Sequence, residues 1–507
     1  MKTCITARGL SGPAGLPAAA TLMALLVAAS QDNALAQQTP PAPSAPASPA
    51  LPAAGTLLRP QSVSPLPGGL DAVLMLNDNN PELITAPGVL LSTFPSAGRA
   101  RPEAHLDVPL TGRFDLFSHH VYAGRPETLD STLWLAVLAQ PRGNQPVTLR
   151  LLAGSTALSQ ATDRLQPAAP FLPLPALLPQ DGLVFSGPGS RVAGELLNRQ
   201  RSSLLPQQWN LTGGRPTTLL MLPLPVRGLD PLLNGRNLQL RLQSDGPISL
   251  ATLAALGQSD TPPSGGDWLA VLDGPLSPRE HSPTPRGARG PMIYSRVSGV
   301  QIGSRWSATI TDPGQRWLSA SRAPISWPIS SLERGSLGTA QVQTAELKRF
   351  YPGTAWAAHG NYGVEYDLSI PLRNNRPRVA RLQLQLDSPL KHDQPLGGLR
   401  FKPEPARAVM FRGTVEVSGL DVEVGAGGTI SASGRRQFHL IQRAGQQGPA
   451  LGTVTLAPGA SRQLRVRLIY PADATPPQVL SLLPAPETSG PEAPVKQSPP
   501  PPASRQP

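Results

Sequence analysis

Proline and glycine set the limits on what this chain can fold into. Of its 507 residues 62 are proline and 48 glycine, about one residue in five. Proline removes a helical hydrogen-bond donor and clashes with the preceding turn, and glycine costs backbone entropy, so long helices, coiled coils and helical bundles are excluded. Hydrophobic residues still make up 39% of the chain. That is enough for sizeable cores over a length that suits two or three domains. Short strands joined by turns satisfy both constraints.

The local patterning agrees. Val364, Tyr366, Leu368, Ile370 and Leu372 alternate with Glu365, Asp367 and Ser369, the period of a strand with one buried face. Leu382, Leu384 and Leu386 alternate with Arg and Gln in the same way, and Leu238 to Leu242, Val415 and Val417, and Leu464 to Leu468 follow suit. The fold class expected is all-β: two β-sandwich-like (immunoglobulin-like) halves with very little helix and disordered termini. Residues 56–260 and 291–484 are read as the two β-rich domains, with a Pro/Gly-rich linker at 261–290. A Pro/Ala-rich tether at 37–55 and a Pro-rich tail at 485–507 flank them. The segments around Leu133–Leu151 and Tyr366–Leu386 each read as a hairpin preceded by histidine, which raises the possibility of a duplication. The stretch from Leu456 through Tyr470 reads as a closing hairpin. The best helix candidate, Val192–Gln200, covers only about two turns.

Residues 1–36 carry the marks of a secretory signal peptide. Lys2 and Arg8 precede an apolar stretch from Leu16 to Ala29, and Ala34-Leu35-Ala36 offers a small-x-small cleavage site. No run of about 18 apolar residues occurs, so no transmembrane span is expected in the mature chain. The one cysteine, Cys4, falls in the segment to be removed. Disulfides, cysteine-ligated metals and a cysteine nucleophile are therefore not expected. The formal net charge is +12; removal of Lys2, Arg8 and Asp32 leaves +11. The excess is almost all arginine, spread along the chain, and suits either adhesion to anionic surfaces or a simple GC-rich composition. No aromatic-interleaved basic motif points to nucleic acid.

Enzyme signatures are missing: no Gly-x-Ser-x-Gly, no His-Glu-x-x-His and no phosphate loop occur. The glycine-rich stretch Phe185–Gly194 resembles a nucleotide turn, but Pro188 removes an amide and no βαβ unit follows, so a tight turn before a capped helix is the simpler reading. His119 and His120, with His105 and Glu103, are metal-ligand types. As strand neighbours, however, His119 and His120 point to opposite faces, one buried and one solvated. Asn77-Asp78-Asn79-Asn80 with Glu82 lacks calcium-loop spacing and reads as an Asx-rich turn. No cofactor, metal site or catalytic residue is assigned.

The segment most suggestive of a site is Phe350–Asp367. It gathers Phe350, Tyr351, Trp356, Tyr362 and Tyr366 in a chain with only 4% aromatics. Aromatic faces stack on sugar rings while amides and carboxylates bind hydroxyls, so Trp356, His359, Asn361, Tyr362, Glu365 and Asp367 are the candidate ligand-binding residues. Glu365 and Asp367 share one strand face, whereas a glycosidase needs its carboxylates across a cleft. Core packing and turn structure are the competing explanation.

The segments Leu110–His120, Val226–Asn237, His359–Tyr366 and Tyr470–Gln478, taken together, resemble an uncharacterised family of exported cyanobacterial proteins, a domain of unknown function. The resemblance implies a cell-envelope or extracellular setting and brings no ligand or catalytic residue. The function expected is that of an exported, non-enzymatic structural or binding protein, with envelope polysaccharide or another envelope protein as partner. The alternative is a carbohydrate-active protein, either a glycan-binding module or a glycoside hydrolase.

Overall fold

The structure is a computed structural model that describes residues 55–160 and 187–486, except 129, 289–291, 294, 407 and 425–428. Residues 1–36, read as a signal peptide, the tether before Gly55, the tail from 487 onward, and Phe185 and Ser186 of the glycine-rich turn lie outside the described residues. The fold is all-β. Among the described residues there are two α-helices, α1 (Pro188–Leu197) and α2 (Gly265–Leu272).

The C-terminal region is a β-sandwich. One sheet runs in the order Arg436–Arg443, Val409–Ser418, Ser461–Ile469, Glu365–Arg373, Arg305–Thr309 and Gly69–Leu70, with Leu318–Ser319 added alongside Glu365–Arg373. The other runs Ser62–Val63, Ile325–Ile329, Gln478–Pro484, Ala380–Asp387 and Ala450–Leu456. The alternation seen in the sequence is the inner face of each layer. Tyr366, Leu368, Ile370, Leu464 and Val466 of the first sheet meet Trp327, Leu382, Leu384, Leu480 and Leu482 of the second in one buried cluster. Two of the expected hairpins are therefore arches. Glu365–Arg373 and Ala380–Asp387 lie in opposite sheets, as do Ala450–Leu456 and Ser461–Ile469. Each strand has its apolar face toward the shared core, so the turn must cross between layers. Buried Asn374 fixes both crossings, its Nδ2 donating to Leu456 O and Arg378 O and its carbonyl accepting from Gly459 N.

The N-terminal sheet is organised by a 24-residue strand, Leu233–Leu256. Its first part pairs with Leu110–Ala123 and Val147–Leu158, and its last part with Leu133–Pro141 and Gly88–Ser92. The change of partners falls at Asp245-Gly246-Pro247, where proline cannot donate to a ladder and glycine tolerates the bend. The expected hairpin at Leu133–Leu151 thus becomes two strands laid along one long neighbour. Asn77–Asn79 sit inside the strand Leu74–Leu83 rather than in a turn. Adjacent strands meet part of their buried polar groups, with Asn77 Nδ2 donating to Gln301 Oε1 at 2.8 Å and Asp78 Oδ2 accepting from His120 Nε2 at 2.9 Å.

Strand pairing crosses the 261–290 passage in both directions. Residues 57–60, 62–63 and 69–70 pair with C-terminal strands, while Val297–Ile302 and Leu347–Phe350 extend the N-terminal sheet. The passage itself carries α2, which opens on a Ser264/Asp267 capping box and buries Trp268 and Leu272 against Val89, Phe94 and Leu138. Helix α1 is a wedge between the two regions. Val192, Ala193, Leu196 and Leu197 pack on Ala153 and Ala157 from one side and Ile469 from the other. Half-buried Asp473, from the loop after Ser461–Ile469, accepts from Gly189 N at 3.3 Å and Ser190 N at 2.6 Å. Its carboxylate fills the anion position at the helix start. The glycine-rich stretch is therefore closed to phosphate by the chain itself, and Gly189 is needed because a Cβ there would lie 2.6 Å from Ala472 N.

Candidate binding site

The structure takes the aromatic segment apart. Tyr362, Gly363 and Glu365 belong to the contact between the two regions, and Asn361 is fixed beside them. Asn361 is buried, donating from Nδ2 to Gln343 O and Tyr366 Oη, both at 2.8 Å, and accepting at Oδ1 from Ala345 N at 3.2 Å. Tyr362 donates to Ala474 O at 3.0 Å and stacks on Phe117 of the N-terminal sheet, with ring centroids 6.4 Å apart and planes 16° from parallel. Gly363 lets the two layers touch. Its φ is +78°, and a Cβ would stand 2.7 Å from the Phe117 ring.

Glu365 is the hub of this contact. Its side chain is 1% exposed and receives three guanidinium groups: Arg241 at 2.8 Å from the N-terminal sheet, Arg467 at 2.8 Å and Arg305 at 3.1 Å. The chain of charge continues on both sides. Arg467 pairs with Glu416 at 2.9 Å and Glu416 with Arg435 at 3.0 Å, while Arg241 faces buried Asp115, which Arg113 holds at 2.7 Å. Burial alone would raise the Glu365 pKa. The charge of Arg241, the hydrogen bond from Arg467 and the charge of Arg305 outweigh it and hold the carboxyl down at about 2. Such a carboxylate is a poor proton donor at neutral pH. Asp367, on the same strand face, is more exposed and takes a bidentate fork from Arg465 at 2.7 Å through both oxygens.

The histidines singled out by the sequence are buried or half-buried. Desolvation lowers the pKa of His359 to about 3. Desolvation first, then the neighbouring His120, lowers that of His119 to about 4; of this pair His120 is fully buried and His119 half-buried. His105 is buried, with Nδ1 2.8 Å from Ser92 Oγ, and desolvation followed by the charge of Arg99 brings it to about 4. No group of three or more His, Cys, Asp or Glu positioned to hold a metal occurs among the described residues.

Trp356 has a different setting. It lines an open cleft of about 500 Å³ with Phe350, Leu347 and Thr354 on one wall and residues 282–286 on the other. A β-bulge at Lys348 in the edge strand Leu347–Phe350 re-aims the chain, so that Leu347 and Phe350 both reach the cleft. The Arg286 guanidinium lies 4.8 Å from the centre of the Trp356 ring and pairs with Glu346 at 2.5 Å. Of the six candidate residues Trp356 alone lines this cleft. Its other polar and aromatic partners, Arg286, Glu346 and Phe350, were not anticipated. Phe350 falls inside the aromatic segment, but Arg286 lies in the passage read as a linker and nothing in the sequence ties it to Trp356.

A family model described as a protein of unknown function (DUF3370) matches residues 61–484. The chain belongs to that family. The match begins at the first strands that join the C-terminal sandwich and ends at Pro484, the last residue of its final strand, so in this DUF3370 chain it takes in both sheet regions. No curated protein matches the chain. No helix among the described residues is long and apolar enough to cross a membrane.

Proposed function

We propose that this DUF3370 protein is exported and works, without catalysing a reaction, as a structural or binding component of the cell envelope or extracellular space in a cyanobacterial setting. Its partner in this reading is envelope polysaccharide or another envelope protein. The observation that carries the non-enzymatic part is Glu365. The carboxylate best placed by the sequence for chemistry is enclosed by three guanidinium groups and kept ionised. Export rests on the residue 1–36 pattern.

Expression of the full chain with a C-terminal tag, followed by fractionation and N-terminal sequencing, tests this. A product beginning at Gln37 in the periplasm or medium is expected. An unprocessed chain in the cytosol would contradict export.

A carbohydrate-binding reading is favoured by a separate observation, the open aromatic cleft at Trp356. Hydrolysis in that cleft would need a second facing carboxylate, and among the residues lining it Glu346 is the one acid.

A further inference from the structure

We infer that the Trp356 cleft is a binding site for acidic oligosaccharide, with Arg286 as the group that recognises the sugar carboxylate. The inference deepens the carbohydrate-binding reading by giving it a ligand class. Three features of the cleft converge on it. Its volume of about 500 Å³ suits one or two sugar rings, within the range typical of small-ligand sites. Its walls combine aromatic and proline surface, from Trp356, Phe350, Pro283 and Pro285, with the hydroxyl-bearing Ser282, while the hydroxyls of Thr284 and Thr354 are bonded to Ile293 N and Tyr351 O. Apolar sugar faces and sugar hydroxyls call for that combination. Phe350 is 38% exposed, so its ring is open to solvent on the cleft wall.

The third feature is charge. Arg286 and Glu346 are 66% and 58% exposed at their side chains, so the pair is held in water and contributes little to folding. Its geometry is that of a closed but yielding latch: the guanidinium rests on the indole face and donates from one Nη to Glu346 Oε1. A uronate-type carboxylate can replace Glu346 on that guanidinium and take two of its N–H groups, freeing the indole for the ring that carries it. A second guanidinium stands at the rim. Arg279 donates to Pro352 O at 3.3 Å and crowds Gly353, where a Cβ would lie 2.4 Å from its Nη2. Two arginines against one carboxylate make the cleft complementary to an anionic sugar rather than a neutral one.

The test is titration of the purified chain with an oligogalacturonate and with a neutral malto-oligosaccharide of equal length, at 0.15 M and 0.5 M salt, followed by calorimetry. Trp356→Ala, Arg286→Ala and Glu346→Gln are compared with the parent. Binding of the acidic oligomer is expected, persisting at the higher salt and falling at least tenfold in Trp356→Ala and Arg286→Ala. Glu346→Gln releases Arg286 and should tighten it several-fold, an effect that a merely structural ion pair would not produce. Unchanged melting curves would confirm that all three variants fold. Equal affinity for the two sugars, binding indifferent to Trp356 and Arg286, or no binding would each overturn the inference. Binding is read on purified protein, so a failure of export in the fractionation experiment leaves it untouched, and the reverse holds as well.

Discussion

The two ends of the segment Phe350–Asp367 share a composition and have opposite fates. At the C-terminal end, Asn361 is held by Gln343 and Tyr366, and Tyr362 and Glu365 are engaged by groups from both sheet regions. At the N-terminal end, Phe350 and Trp356 face an open cleft whose charges are held in water. Aromatic and polar residues gathered in sequence therefore do not define a site. What separates the two ends is whether a second layer lies over them. The N-terminal sheet covers Glu365 through Arg241 and Tyr362 through Phe117, whereas Leu347–Phe350 is the last strand of its sheet. An interior position turns such residues into joints, and an edge leaves them available.

The contrast can be broken by substitution, and the largest effect is expected at the hub. Glu365→Gln leaves three guanidinium groups around a neutral amide, and loss of one member of a buried charge cluster costs about 3–5 kcal/mol. Denaturant unfolding should show that loss, and a change below about 1 kcal/mol would show that the cluster is not the joint. Leu196→Ala empties the α1 wedge between the regions and should cost about 2–4 kcal/mol by the same measurement. If the wedge couples the regions, the unfolding transition should also broaden or split.

Acid should act on the interior end as well. The Glu365 value of about 2 lies below its ordinary value of 4.5, so its contribution to stability is whole above about pH 4.5 and is lost as the pH falls toward 2. His359, lowered from 6.5 to about 3, adds a loss that begins near pH 6.5 and grows as the pH falls toward 3. Melting temperature should therefore decline from about pH 6.5 downward. His359→Gln should flatten the upper part of that decline, and an unaltered slope would remove His359 from the account. The smallest effect belongs to the open end. Arg286→Ala removes an exposed cation–π contact and a surface ion pair, together about 1 kcal/mol or less. A larger loss there would mean that the cleft is part of the framework.

Much of the sandwich was legible because its strands have one wet face. The alternations at 364–372, 382–386 and 464–468 are the inner faces of the two layers. Their partners were not legible, because a turn such as Asn374 reads alike whether it closes a hairpin or crosses between sheets. The strand Leu233–Leu256 shows the opposite problem. Asn234, Arg236, Asn237 and Gln239 are as buried as Leu238 and Leu240, since sheet neighbours and the C-terminal layer satisfy their polar groups. The hydrophobic pattern alone suggested a half-exposed strand. Helix α2 announced itself only through Ser264 and Asp267, a cap obscured by the prolines and glycines around it. Within the candidate site, Trp356 was legible as an aromatic. Its partner Arg286 was not, because they are brought together only by a passage with no periodic signal.

The central claim is that Glu365 joins the two regions while Trp356 stands outside that joint. Equilibrium unfolding of Glu365→Gln and Trp356→Ala side by side tests it most directly. A loss of about 3–5 kcal/mol for the first and less than about 1 kcal/mol for the second is the expected result. Equal losses, or a larger loss at Trp356, would contradict it.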